Sequence, residues 1–152
     1  MLLKNKKVFI VGGSGLIGKS ITKNFLKNKA KVYNLDLKSA SFKNNKYFFE
    51  KFDCTDLTNI KKNLEAFIKK YGVPDIFINA SYPRTNDWAK NNFKNIKLKS
   101  LQQNVNIFMN SYVWIAKCIA DRMSINLKQK SIILIGSIYG KVGQNSFNYG
   151  GT

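Results

Sequence analysis

Val11-Gly12-Gly13-Ser14-Gly15-Leu16-Ile17-Gly18 is the stretch on which the reading of this chain turns. Before it, Lys7 to Val11 is a short β-branched and aromatic run, which predicts a buried strand. After it, Ile17, Ile21 and Phe25 recur at helical spacing, with Lys19, Lys23 and Lys27 between them. Gly13, Gly15 and Gly18 fit G-x-G-x-x-G, and Gly12, Gly15 and Gly18 fit G-x-x-G-x-x-G. A glycine turn between strand and helix lets a pyrophosphate approach the backbone closely. The helix N-terminus then offers it free N–H groups and the positive end of the dipole.

Working outward, Lys31 to Leu35 predicts a second strand, ending at Asp36. Asp36 lies 18 residues past Gly18, near the separation of about 20 at which an acid meets ribose hydroxyls. A carboxylate there accepts from both hydroxyls and repels a 2′-phosphate, so the expected cofactor is NAD rather than NADP. Tyr47 to Phe52 predicts a third strand, ending at Asp53. Leu57, Ile60, Leu64, Phe67, Ile68 and Tyr71 predict a helix that Gly72 and Pro74 stop. Asp75 to Asn79 is a fourth strand, and Ser131 to Ile135 a fifth. Between them Leu101, Val105, Phe108, Tyr112, Ile115, Ile119 and Met123 mark one long helix.

Strand and helix alternate, and the strands are continuous apolar runs, as in a parallel sheet covered on both faces. The predicted fold class is α/β: a Rossmann-type doubly wound parallel sheet in three α/β/α layers. Residues 1–152 read as one dinucleotide-binding domain, with no internal repeat or linker.

Composition narrows the function further. The 152 residues hold 26 basic and 8 acidic side chains, no His, and a net charge of +18. Without His there is no Ser-His-Asp or Cys-His mechanism. Cys54 and Cys118 are far apart, so no metal site is expected, and a reducing, cytoplasmic setting is. No run approaches the roughly 20 apolar residues that span a bilayer. Arg84 and Arg122 are the only arginines, and the lysines are spread along the chain. That is a solvated surface before it is a nucleic-acid footprint, so nucleic acid is not the expected partner.

Four landmarks in order resemble the short-chain dehydrogenase/reductase family: Gly12…Gly15…Gly18; Asp53 in Phe-Asp-Cys-Thr-Asp; Ile-Asn-Ala at 78–80; and Ile-Gly-Ser-Ile-Tyr-Gly at 135–140. The resemblance implies a cofactor site of Gly12, Ser14, Gly15, Leu16, Ile17, Gly18, Asp36, Asp53, Cys54, Asn79, Ala80 and Ser81. In it Asp53 meets the adenine amino group, and the backbone around Asn79 and Ala80 flanks the cofactor. The segment from Asn79 to Trp88, with Ser137-Ile138-Tyr139-Gly140 and Tyr149-Gly150-Gly151-Thr152, is similar to the flagellin-modification oxidoreductases linked to nonulosonic (legionaminic-type) sugar synthesis. That implies hydride transfer on a hydroxyl or keto group of a sugar or nucleotide-sugar precursor. Alternatives are a non-catalytic dinucleotide-binding remnant or sensor, and an extended-type nucleotide-sugar epimerase or dehydratase.

By the same resemblance Ser137 is the catalytic serine, hydrogen-bonded to the substrate oxygen. Asn106 is the expected helix asparagine holding a relay water, with Asn104 and Asn110 as alternatives. Arg84 is a candidate for a substrate phosphate or carboxylate. The family's Tyr-x-x-x-Lys does not occur after Ser137, and Tyr149 reads as a loop tyrosine. The chain therefore reads as the first five strands of such a fold, truncated at its C-terminus. An apolar edge at 131–135 would then favour association, and the full-length enzyme is expected to be a homo-oligomer.

Overall fold

Five parallel strands in the order β3-β2-β1-β4-β5 form the centre of the computed structural model, which describes residues 3–92, 94–125 and 129–143. The strands are β1 (Lys7–Val11), β2 (Lys31–Asp36), β3 (Tyr47–Lys51), β4 (Ile76–Asn79) and β5 (Ser131–Leu134). Helix α1 (Leu16–Lys27) follows β1, and α2 (Ile60–Tyr71) follows β3. Between β4 and β5 run α3 (Leu98–Asn104), a π-helical segment (Val105–Asn110) and α4 (Ser111–Met123).

Register sets the core. Phe9 pairs with Tyr33 and Phe77, and Ile10 with Asn34 and Ile78. Alternation then sends Phe9, Val11, Tyr33, Leu35 and Phe77 to one face, against Ile60 and Leu64 of α2 and Ile115, Ile119 and Met123 of α4. Val8, Ile10, Val32 and Ile78 go to the other, against Leu26 of α1. Each such side chain, fully buried, contributes roughly 1.5–3 kcal/mol.

The strands and helices fall near where the sequence predicts them, with differences at their ends. The third strand ends at Lys51 rather than Phe52, the fourth begins at Ile76 rather than Asp75, and the fifth ends at Leu134 rather than Ile135. Helix α2 begins at Ile60, three residues after Leu57. There Asp53 accepts from the Thr55 amide and hydroxyl, and Asp56 from Asn59, so side chains hold the backbone in turns that compete with helix.

The long helix is also interrupted. Ser111, fully buried, donates its hydroxyl to the Ile107 and Phe108 carbonyls at 2.8 and 3.1 Å, within the widened Val105–Asn110 turn. The β2–β3 crossover, residues 37–46, carries no helix. Its cover is Ala40 and Phe42, the latter's ring 5.1 Å from that of Tyr47.

Candidate functional site

Every candidate cofactor residue lies at, or just after, the C-terminal end of a strand. Residues Gly12 to Gly18 follow β1, Asp36 closes β2, Asp53 and Cys54 follow β3, and Asn79, Ala80 and Ser81 close and follow β4. The chain winds from β1 out to β3 and then crosses back to β4, beside β1. That reversal opens a crevice beyond the carboxyl ends of β1 and β4, where doubly wound sheets bind ligands.

The turn after β1 is built by close approach. Gly12 has φ +78°, and a Cβ on it would lie 2.7 Å from the Ser81 backbone. A Cβ on Gly18 would strike the Gly12 carbonyl. Gly15 has more room, the Gly12 carbonyl standing 3.3 Å from where its Cβ would be.

The first intrahelical bond of α1 runs from the Lys19 N–H to the Gly15 carbonyl at 2.8 Å. The N–H groups of Leu16, Ile17 and Gly18 therefore have no helical partner, and no side chain caps this end. Leu16 is 91% exposed and Ile17 54%. Free amides, a glycine cradle and uncovered apolar side chains fit the pyrophosphate of a dinucleotide, which these residues would hold with their backbone.

Asp36 is clamped at the edge of that turn. Its Oδ2 accepts from the Ser14 amide at 2.9 Å and its Oδ1 from the Lys38 amide at 3.4 Å. Each oxygen keeps a further lone pair for a ribose hydroxyl. The Ser14 hydroxyl donates to the Lys38 carbonyl at 2.5 Å. Behind it, buried Asn34 donates through Nδ2 to the Ser14 oxygen and to the Tyr47 hydroxyl, both at 2.8 Å.

The β4 side is tied in the same manner. Asn79, fully buried, accepts the Ser81 hydroxyl at 2.7 Å and the Ser81 amide at 3.1 Å. Its Nδ2 is buried without a hydrogen-bond partner. Tyr112 of α4 donates to the Ser81 carbonyl at 2.5 Å, fixing the loop that Gly12 packs against. Burial pushes the Cys54 thiol up, against a hydrogen bond with Ser81 that lowers it, so this half-buried cysteine is a weak nucleophile at neutral pH.

The residues expected to act on substrate lie further along. Ser137, exposed after β5, accepts the Tyr139 amide at 3.2 Å and opens a short 3-10 turn, Ile138–Gly140. Asn104 is committed to the fold, donating to the Ser100 carbonyl at 2.9 Å and to Thr85 at 3.1 Å. Asn106 and Asn110 are both exposed, and the Asn110 amide donates to Asn106 Oδ1 at 2.7 Å. Exposed Arg84 stands over the Tyr82 ring, 5.5 Å from its centroid. Tyr149 lies outside the described residues. Among the described residues no group of His, Cys, Asp or Glu could hold a metal ion, and no helix is long and apolar enough to cross a membrane.

Sequence reasoning missed Asn34 and Tyr112. The signal for Asn34 was present: one amide inside an otherwise apolar predicted strand. Tyr112 lies in the apolar register of a helix, so it carried no mark, and Lys38, a cation beside Asp36 in the sequence, meets Asp36 and Ser14 through its backbone.

Comparison with known proteins follows the same lines. The family of short chain dehydrogenases matches residues 6–152. The chain is 24% identical over 165 residues to post-translational flagellin modification protein A of Campylobacter coli, covering 99% of this chain and 62% of that protein. A short-chain dehydrogenase of Leptospira borgpetersenii, solved with bound NAD+, superposes with a TM-score of 0.82 at 25% identity, over 94% of this chain and 56% of that one. ElxO, solved with NADP bound, superposes with a TM-score of 0.78 at 24% identity, over 96% and 61%. The chain thus spans less than two thirds of the relatives it matches. With the glycine turn, the acid that closes β2 and the crevice between β1 and β4 all in family order, the chain belongs to the short-chain dehydrogenases.

Proposed function

We propose that this chain is the cofactor-binding part of an NAD-dependent oxidoreductase that moves a hydride to or from a hydroxyl or keto carbon of a sugar or nucleotide-sugar precursor. The observation that carries the reading is the Asp36 carboxylate, held by the Ser14 and Lys38 amides beside an uncapped helix N-terminus. Acceptors for a ribose diol thus stand beside donors for a pyrophosphate. When bound, the dinucleotide supplies or takes up the hydride. Gly12, Gly15 and Gly18 leave room for its phosphates, Asp36 accepts the ribose hydroxyls, and Asp53 and Cys54 border the adenine. Ser137 donates to the substrate oxygen and Asn106 holds a relay water.

The sugar class rests on the likeness to flagellin modification protein A, and with it a role in flagellin glycan synthesis. The remaining parts of the reading are a reducing cytoplasmic setting, for two free cysteines, and self-association. A non-catalytic dinucleotide binder is the second reading. It is favoured by one observation, that the candidate catalytic residues Ser137 and Asn106 are both exposed, whereas Asp36 and Asn79 are held by hydrogen bonds at the strand ends.

Fluorescence titration with NADH, NADPH and duplex DNA tests the proposal. Saturable NADH binding that DNA does not compete supports it, and turnover on a sugar or nucleotide-sugar panel separates enzyme from binder. Failure to bind NADH would reject both.

A further inference from the structure

We propose that Tyr82 and Arg84 form a subsite for an anionic sugar, one that bears a phosphate or a carboxylate. The inference rests on the dinucleotide reading above and narrows its substrate class from sugars at large to negatively charged ones.

Strand order puts this pair on the substrate side of the crevice. Asp36 closes β2 and the glycine turn follows β1, so the ends of β4 and β5 are left for the reacting half of the dinucleotide and for substrate. The segment after β4 starts at Ser81, whose backbone packs against Gly12, and Ser137 follows β5. Tyr82 and Arg84 lie one and three residues beyond Ser81.

The segment is pinned on either side of three displayed residues. Ser81 is buried and bonded to Asn79 and Tyr112, and Thr85 is buried and accepts from Asn104 at 3.1 Å. Between them stand Tyr82, Pro83 and Arg84, with Pro83 fixing one backbone torsion. Tyr82 is 57% exposed, yet its ring is set edge-to-face with Trp88 and Phe108, at centroid distances of 5.9 and 5.5 Å. Phe108 in turn stacks on Tyr112 at 5.0 Å. An aromatic side chain that is open to solvent but already held in place loses little freedom when a ligand lands on it.

Arg84 supplies the charge. Its guanidinium stands over the Tyr82 ring, and among the described residues no carboxylate lies within ion-pair distance of it. Asp87, three residues on, is hydrogen-bonded with Thr85 and Ser100 instead. The other arginine of the chain, Arg122, is paired with Glu65 at 2.8 Å. Contact with a ring face leaves the N–H fork of Arg84 to other partners, and that fork matches a carboxylate or a phosphate. The ring itself offers negative charge density to the positively polarised C–H groups of a pyranose. Ring and fork side by side thus suit a ligand that carries both a sugar ring and an anion. A neutral sugar leaves the fork to water.

The test titrates the chain with NADH and then, in its presence, with glucose 6-phosphate, glucuronate and glucose. Wild type, Arg84→Gln, Arg84→Lys and Tyr82→Ala are compared. Wild type is expected to bind at least one charged sugar about tenfold or more tightly than glucose, the scale of hydrogen bonds to a charged group. The tighter of the two names the anion. Arg84→Gln should abolish that margin while leaving NADH and glucose within about twofold. Arg84→Lys keeps the charge without the fork and should retain only part of the margin. Tyr82→Ala should weaken charged and neutral sugars together; if it does not fold, Arg84→Gln, at an exposed side chain, decides alone. An Arg84→Gln variant that loses NADH as much as the charged sugar assigns the guanidinium to the cofactor phosphates and overturns the inference. So does a wild type that binds NADH but prefers neither charged sugar to glucose. A wild type that binds no NADH removes the dinucleotide reading, and this inference with it.

Discussion

The backbone amide of Ser14 donates to the carboxylate of Asp36 across 2.9 Å, joining the turn after β1 to the end of β2. The two residues are 22 apart in sequence, and the bond turns two separate sequence signals into one site. Replacing Asp36 by Ala removes both ribose acceptors and frees the Ser14 amide. NADH binding is expected to weaken about ten- to a hundredfold, the range for hydrogen bonds to a charged group. NADPH binding should fall far less. Isothermal titration with both cofactors reads the difference, and equal losses would show that Asp36 does not contact the ribose.

Gly12 and Gly15 should respond differently to a single methyl. At Gly12 the backbone has φ +78° and the Ser81 backbone lies 2.7 Å from a Cβ. Gly12→Ala is expected to cost at least about 1–3 kcal/mol, as strained backbone does, before any movement of the Ser81 loop. Gly15 has φ −71° and a contact of only 3.3 Å to the Gly12 carbonyl. Gly15→Ala should therefore change stability by less than about 1 kcal/mol. Urea denaturation of both variants gives the comparison.

Glu50 predicts an acid limb in the stability profile. Burial raises its carboxyl, but hydrogen bonds from Lys70 and Tyr71 outweigh that and hold it below its ordinary 4.5. A group with a lowered folded value contributes stability above its unfolded value, and loses it as pH falls through the folded one. Glu50 should thus stabilise the β3–α2 contact at neutral pH and stop doing so on acidification below about 4.5. Lys70 is exposed, so solvent screening keeps the contribution small. Glu50→Gln should flatten this part of the profile, and a variant with an unchanged acid limb would assign it to other carboxylates.

Strand β5 predicts self-association. Ile132, Ile133 and Leu134 are 38%, 43% and 47% exposed on a strand that, among the described residues, pairs only with β4. Open ladder groups beside aliphatic side chains are a template for another chain. The 152-residue chain should sediment as concentration-dependent oligomers, and Ile133→Lys should shift it towards monomer. Clean monomeric sedimentation of the unmodified chain would count against an adhesive edge.

The elements of this fold are local events, and so they were legible. Glycines between a β-branched run and a helical repeat predict strand, turn and helix, because each depends on neighbours within a few residues. The apolar period of α2 is of the same kind. Its first turn was not legible, because Asp53 and Asp56 divert the backbone through side-chain hydrogen bonds that the period does not register. The break in the long helix was hidden for a like reason: Ser111 reaches back to two carbonyls, while Val105 and Phe108 keep the apolar spacing.

By itself the sequence determined that strands and helices alternate, that a phosphate-sized cradle follows β1, and that an acid closes β2. Those are matters of side-chain period and missing Cβ atoms. Only the tertiary structure decided which partners the acid, Ser14 and Asn34 choose, and that Gly12 packs against Ser81, 69 residues away. Hydrogen-bond direction and close approach depend on strand order and register, which bring distant residues within 3 Å. No spacing along the chain encodes them.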